Sequence, residues 1–322
     1  MLSLRTKLRL RRAIKNTGNA VAGAAAVGLL KLLRLANPDT LANFGGWLAR
    51  TIAPLFKENQ IGRENLTLAF PEKSPQEIET ILRGVWDNLG RSGAEFAQLD
   101  RLWDYDVDHP EKKSRVEFRP IDTERFNTLR DDGKPALIFA AHLANWELPA
   151  ICAATHHLDS AVLYRRPNIP AIDKWLRETR SASMGNLIAT GLDAPIKISN
   201  ALKNGAHVGM LVDQYFLRGV EVTFFGRKTM ANPLLARLAQ HYDCPIHGTR
   251  IVRLPGNRFR AEFTEEIKPA RDETGKIDIA ATTQIITNVI EGWIRENPEQ
   301  WLWLHRRWRP EDQIKTGAPG SL

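Results

Sequence analysis

Cysteine is scarce: the 322 residues hold only Cys152 and Cys244, too few for a metal cluster and not spaced as a disulfide framework. Cys152, in the apolar run PAICAAT, reads as a small core residue. A reducing compartment is the expectation. Zinc-finger spacing and an HExxH pair are both missing, so no metal and no cofactor are expected. The chain also lacks an apolar run of the ~20 residues that a membrane-spanning helix needs. The uncharged stretch from Asn16 to Leu30 is short and rich in Ala and Gly. Acid is absent from the opening, where Arg5, Lys7, Arg9, Arg11, Arg12 and Lys15 stand alone. A cleaved secretory signal, a plain surface helix with a solvated basic face, and a basic, weakly inserted anchor are the competing readings. Cations that meet anionic head groups on the cytoplasmic side make the anchor the expectation for residues 1–35.

What is abundant is positive charge, a formal +8, which calls for an anionic partner. Nucleic acid, a membrane surface, a phosphorylated substrate and an acidic carrier protein all satisfy it. Helix-turn-helix, RRM and KH signatures are missing, and the most basic run precedes an apolar one, so no nucleic acid is expected.

Along the chain, Leu41, Phe44, Trp47, Leu48 and Ile52 recur at helical spacing after Pro38-Asp39. SPQEIETILRGVW opens with Ser74 as N-cap, Pro75 at the first helical position and Glu77 completing a capping box. Residues 36–110 are therefore expected to be helical. From about residue 115 strand-like runs (SRVEFR, PALIFAA, SAVLYRR, AHVGMLVDQ, VEVTFFG, PIHGTRIVRL, FRAEFTEE) alternate with helical stretches near 170–180, 194–204, 230–242 and 278–296. That rhythm predicts an α/β fold over residues 111–310, a mixed, largely parallel sheet flanked by helices, followed by a C-terminal tail at 311–322. Ligands of such sheets gather where strands end.

PALIFAA runs into His142, and Glu147 follows five residues later. In a continuous helix that separation turns two side chains ~140° apart. The pair makes sense if His142 lies in a strand-to-helix turn and Glu147 in the first helical turn, reaching back to one ring nitrogen. His142 is then a general base and Glu147 its orienting carboxylate. Amides of the helix start are candidate donors to an anion or a developing oxyanion. A lone His and Glu at this spacing also arises by chance, so their neighbours decide.

HLANWE resembles the H-x4-D/E motif of glycerolipid acyltransferases, and the ordered set of blocks around it resembles the bacterial lipid A secondary acyltransferases, the lauroyl/myristoyl acyltransferase family. The blocks are GRENLTLAFPE; YRRPNIPAID with Tyr164, Arg165, Asn168 and Asp173; LVDQ with Asp213 and Gln214; VTFFGR with Phe224, Phe225 and Gly226; and PEQWLWLHRRW with Glu299, Gln300, Trp303, His305, Arg306 and Arg307. The resemblance spans about residues 40–310. YRRP carries one arginine more than the family's pattern. The resemblance implies transfer of a fatty acyl chain from acyl carrier protein to a hydroxyl of an anionic lipid A precursor, at the cytoplasmic face of the inner membrane. With such a substrate, Arg165 is a candidate donor to the thioester oxyanion, and Arg165, Arg166 and Arg180 are candidates for binding the precursor's phosphates bidentately. The resemblance adds Asn168, Asp213, Gln214 and Arg306 to the candidate substrate-binding residues. Asp213 is expected to brace an arginine near the site, and Gln214 to satisfy backbone groups. Phe224 and Phe225 are expected in the core or the wall of an acyl pocket. The tryptophans near the C-terminus are expected to pack a last strand onto the body and leave a basic edge exposed.

Overall fold

The computed structural model describes residues 22–106, 109, 111–166, 173–175, 177–178 and 184–309. The basic opening and the tail at 311–322 lie outside them.

Period two in PALIFAA builds the centre of the fold. Strand β2 (Leu137–Ala140) is buried along its whole length. Leu137 and Phe139 face one layer of helices and Ile138 the other. The remaining strands are β1 (Val116–Phe118), β3 (Ser160–Tyr164), β4 (Asn186–Ala189), β5 (His207–Leu211), β6 (Tyr215–Phe224), β7 (Arg227–Ala231), β8 (Ile246–Leu254) and β9 (Arg258–Phe263). Seven of them form a sheet in the order β1-β9-β8-β2-β5-β3-β4, and β6 and β7 form a separate antiparallel hairpin. Within the large sheet only the β8–β9 pairing is antiparallel. The expectation of a mixed, mostly parallel sheet flanked by helices therefore holds. VEVTFFG departs from it by standing outside that sheet, and β4, whose short NLIA carries no clear alternation, was not anticipated.

The helices are α1 (22–33), α2 (Pro38–Ile52), α3 (Lys57–Ala69), α4 (Pro75–Glu95), α5 (Pro120–Asp131), α6 (Leu148–Thr155), α7 (Ala194–Lys203), α8 (Leu234–Tyr242) and α9 (Ile279–Glu296). Residues 173–175 and 177–178 are also helical. α8 and α9 cover the Phe139 face, where the Phe139 and Trp293 rings stack at 5.5 Å. A Cβ at Gly248 would come within 2.6 Å of Phe139, so the strand beneath that stack must be bare. α5 and α6 cover the other face. α4 starts on the expected Ser74–Glu77 capping box. It packs on α2 through Gly45 and Gly90, where a Cβ on either would press within 2.5 Å of the other's carbonyl. The helical layer shares the main core: Leu66, Phe70, Leu82 and Val85 cluster with Trp303 and Leu304. Among the described residues, no helix is long and apolar enough to cross a membrane.

Candidate active site

The turn between β2 and α6 is held from two sides. Ala144 adopts φ +47°, a left-handed conformation that is costly for a residue with a Cβ. Such strain persists only where surrounding bonds over-determine it. Here the Ala144 N–H donates to the Gln300 carbonyl at 2.8 Å. The Ala144 carbonyl accepts from Ser92 Oγ at 2.9 Å and Asn88 Nδ2 at 3.3 Å, both on α4. Leu302 N donates to the His142 carbonyl at 3.1 Å. Asn145 Nδ2 donates to the buried Glu95 carboxylate at 2.8 Å, and Glu95 is paired with Arg253. Gln300 completes the clamp: its amide exchanges hydrogen bonds of 2.8 and 3.0 Å with the Arg253 backbone. The PEQ block thus shapes the histidine turn from about 160 residues further along the chain.

β2 and β5 are parallel neighbours, so residues just past their C-terminal ends lie side by side. This places Asp213 under His142. Nδ1 of the ring lies 2.8 Å from Asp213 Oδ1, and the His142 N–H donates to Oδ2 at 2.9 Å. Trp301 Nε1 donates to the same Oδ2 at 2.7 Å. The carboxylate is almost wholly buried. Burial opposes the charged imidazolium, but Asp213 outweighs it with help from Glu147 through space, and His142 titrates above its ordinary value. Asp213 is held low despite burial, by the charge of His142 and by the three donated bonds. With Nδ1–H donating to Asp213, Nε2 is the basic nitrogen. It faces Gln214, whose Nε2 lies 3.4 Å away.

This geometry corrects two expectations. The carboxylate that orients the ring is Asp213, not Glu147, because strand neighbours stand ~4.8 Å apart while the chain from His142 to Glu147 winds away through the Ala144 kink. Among the described residues Asp213 braces no arginine; its partners there are His142 and Trp301.

His142, Glu147, Trp146, Arg165 and Gln214 line the polar end of a cavity of about 410 Å³. Its walls come from the sheet face opposite Phe139, including Ile138, Val162 and Gly209, and from Cys152 and Phe126 on α6 and α5. Burial pushes the Cys152 thiol far up, so it stays neutral, as a core residue should. Along β3, from Ser160 to Tyr164, the apolar floor runs ~13 Å at ~3.3 Å per residue.

The other candidates divide. Arg165 is exposed at the end of β3 on the cavity mouth, and Arg166 is exposed beside it. Gln214 reaches the ring. Arg306 does not line the main cavity: it is exposed, bonds Glu64 at 3.2 Å, and borders a small cleft behind His142 with Trp301 and His305. Asn168 and Arg180 lie outside the described residues. Phe224 and Phe225 are core, packed on Trp301, Trp303 and Trp308, and neither lines the cavity. The C-terminal tryptophans pack as expected, although not as a strand; Trp301 makes one isolated bridge to Leu143. The expected basic edge is also narrower, since Arg307 is buried, donating to Thr229 Oγ1 and the Met230 carbonyl at 2.9 Å each. Trp301, Asn145 and Glu95 went unnoticed as supports of the site. Asn145 and Trp301 stand inside the quoted blocks, whereas Glu95 carries no local signal.

Residues 12–310 match the family model described as bacterial lipid A biosynthesis acyltransferase. The chain is 23% identical over 261 residues to a lipid A biosynthesis palmitoleoyltransferase of Escherichia coli K12, covering 79% of this chain and 80% of that protein. It is 23% identical over 267 residues to a lipid A biosynthesis myristoyltransferase of the same organism, covering 80% and 75%. A lipid A biosynthesis acyltransferase of Haemophilus influenzae is 26% identical over 282 residues, with 84% of each chain covered.

Proposed function

Since the chain belongs to the bacterial lipid A biosynthesis acyltransferases, we propose that it moves a fatty acyl chain from an acyl-carrier-protein thioester to a hydroxyl of a lipid A precursor, with His142 as general base. The observation that carries this is the His142–Asp213 pair at the polar end of an apolar cavity, its Nε2 turned toward the mouth.

An alcohol attacks a thioester poorly until its proton is taken. In this reading His142 Nε2 takes the hydroxyl proton as the C–O bond forms. Asp213 steadies the resulting imidazolium, as its charge and position favour. Collapse of the tetrahedral intermediate breaks the C–S bond, and the imidazolium returns the proton to the leaving thiolate. The acyl chain lies along Ile138, Val162 and Gly209, out of water. The amides of His142, Leu143, Ala144 and Glu147 are already engaged within the fold, so Arg165 or the amides of residues 145–146 meet the oxyanion, and Arg165 with Arg166 meets acceptor phosphates. Glu147, at the N-cap of α6, adds negative charge on the ring's side of the mouth. The net +8 suits an acidic carrier and an anionic membrane. Residues 1–35 remain the proposed anchor at the cytoplasmic face of the inner membrane, with a helical unit at 36–110 and the catalytic unit at 111–310.

The test is to incubate purified protein with a lipid A precursor and a panel of acyl-carrier-protein donors and read product masses. Product is expected for at least one donor, and His142→Ala should lose it while retaining parental circular dichroism. Near-parental turnover in that variant would remove the proposed base, and acylation of a lysophospholipid in place of the precursor would reassign the acceptor.

A further inference from the structure

The edge of the sheet that carries the cavity mouth also carries exposed apolar side chains. β2, β5, β3 and β4 run parallel, so the segments after their C-terminal ends share one edge. Past β4, Leu192 is fully exposed and Ile196 is 66% exposed. Past β5, the β6–β7 ladder breaks: Tyr215 and Val220 both pair with Ala231, so residues 216–219 are extruded as a loop. Its tip presents Phe216, Leu217 and Arg218 to solvent, with Leu217 64% exposed. Gly219 makes this possible, because a Cβ there would meet the Ala231 carbonyl at 1.9 Å. Bulges beside active sites re-aim side chains. This one aims an aromatic, an aliphatic and a cation outward, within four residues of Gln214 at the mouth.

α1 joins the same edge. Val27 and Leu30 pack on Tyr164, Trp175 and Ala189, at the ends of β3 and β4. Its opposite face leaves Leu29 and Leu32 57% and 65% exposed. Beside these apolar groups stand Arg165, Arg166 and Arg218; of the described acids nearby, Asp193 is engaged by Lys197 at 2.6 Å and Asp173 by Arg177 at 3.2 Å. Soluble surfaces rarely leave such side chains clustered without a partner.

We propose that this edge rests on an anionic lipid bilayer, with Leu192 and the first turn of α7, the 216–218 loop and the outer face of α1 dipping into the head-group region around the cavity mouth. The acceptor would then enter sideways from the bilayer, its chains staying in lipid while one hydroxyl reaches Nε2 of His142. The entry route rests on the function proposed above; the docking surface does not. Apolar side chains interleaved with arginines suit an interface of hydrocarbon beneath anionic head groups. An acidic carrier protein would engage the arginines and leave Leu192 and Leu217 in water.

Both native cysteines are buried, so one exposed cysteine can be labelled selectively in the full-length protein. Leu192→Cys and Leu217→Cys would carry an environment-sensitive fluorophore. Glu273→Cys serves as control, since it is exposed in the loop between β9 and α9, whose Arg271 reaches Asp243 just before the start of β8, at the opposite edge. Vesicles of phosphatidylcholine with phosphatidylglycerol should blue-shift the first two labels and not the third. Phosphatidylcholine alone should shift them less, and holo-acyl carrier protein without lipid should not shift them. Absence of a shift with anionic vesicles, a shift equal at Glu273→Cys, or one produced by the carrier protein alone would overturn the docking surface whatever the enzyme's substrate. For entry, the double variant Phe216→Ser/Leu217→Ser should raise KM for vesicle-borne acceptor about tenfold or more with kcat unchanged. An unchanged KM beside a lost blue shift would retain docking and reject sideways entry.

Discussion

Replacing Asp213 by Asn tests the site most directly, because only one atom changes while the hydrogen-bond pattern must invert. Oδ2 receives two donors, the His142 N–H and Trp301 Nε1, and Oδ1 faces Nδ1. An asparagine has one acceptor oxygen, and the two fixed donors hold it at the Oδ2 position. Its NH2 then faces Nδ1, which must become an acceptor. The ring proton moves to Nε2, the atom required to take the substrate's proton. The same exchange in a Ser-His-Asp triad lowers kcat by about 10⁴ through the wrong tautomer. A loss of about 10³–10⁴ is expected here, or ~4–5.5 kcal/mol of transition-state stabilisation. The assay is steady-state acyl transfer with product quantified by mass, alongside circular dichroism to show that the fold is retained. Turnover within about tenfold of the parent, in a folded variant, would refute the assignment of Asp213 as the positioning group and of Nε2 as the base.

The pH dependence follows from the same pair. His142 titrates above its ordinary value, so the acidic limb of kcat/KM should lie above the usual histidine value of ~6.5, and Asp213→Asn should move it down. For stability, the raised His142 value favours the folded state most fully below the unfolded-state value, and this contribution fades as pH rises through the folded-state one. The lowered Asp213 value stabilises above its unfolded-state value, and that contribution is lost as pH falls through the folded-state one. Thermal midpoints of the parent should therefore fall in acid more steeply than those of the asparagine variant, which keeps other lowered carboxylates such as Glu262 but not this one. Gly209 lines the cavity, and a Cβ there would meet only Val162 Cγ2 at 3.9 Å. Gly209→Ile should fold normally and lower the preference for long over short donors by about tenfold or more, read in a competition between donors; an unchanged ratio would mean that the chain lies elsewhere. Glu95→Ala leaves the largely buried Arg253 without its carboxylate and should cost about 3–5 kcal/mol in denaturant unfolding. A cost under about 1 kcal/mol would show that the clamp behind Asn145 is not what holds the turn.

The elements of this chain were written locally. Ser74 and Glu77 announce α4 because a capping box is satisfied within one turn, and the apolar run of β2 announces a buried strand because both of its faces meet helices. The histidine was equally legible, since a strand that ends on an imidazole stands out against its own pattern. Its partner was not. Glu147, five residues on, was the nearest acid ahead of it along the chain, yet Asp213 holds the ring across 71 positions. Parallel strands bring such residues together only after a crossover, and no periodicity within either strand records which neighbour it will take. The same holds for Gln300 and Trp301, which brace the turn from the far end of the sequence, and for the loop at 216–219, which exists because two residues pair with Ala231. Spacing settles what the backbone can form with itself within a few residues; contact between distant segments is settled by the packing of the whole sheet.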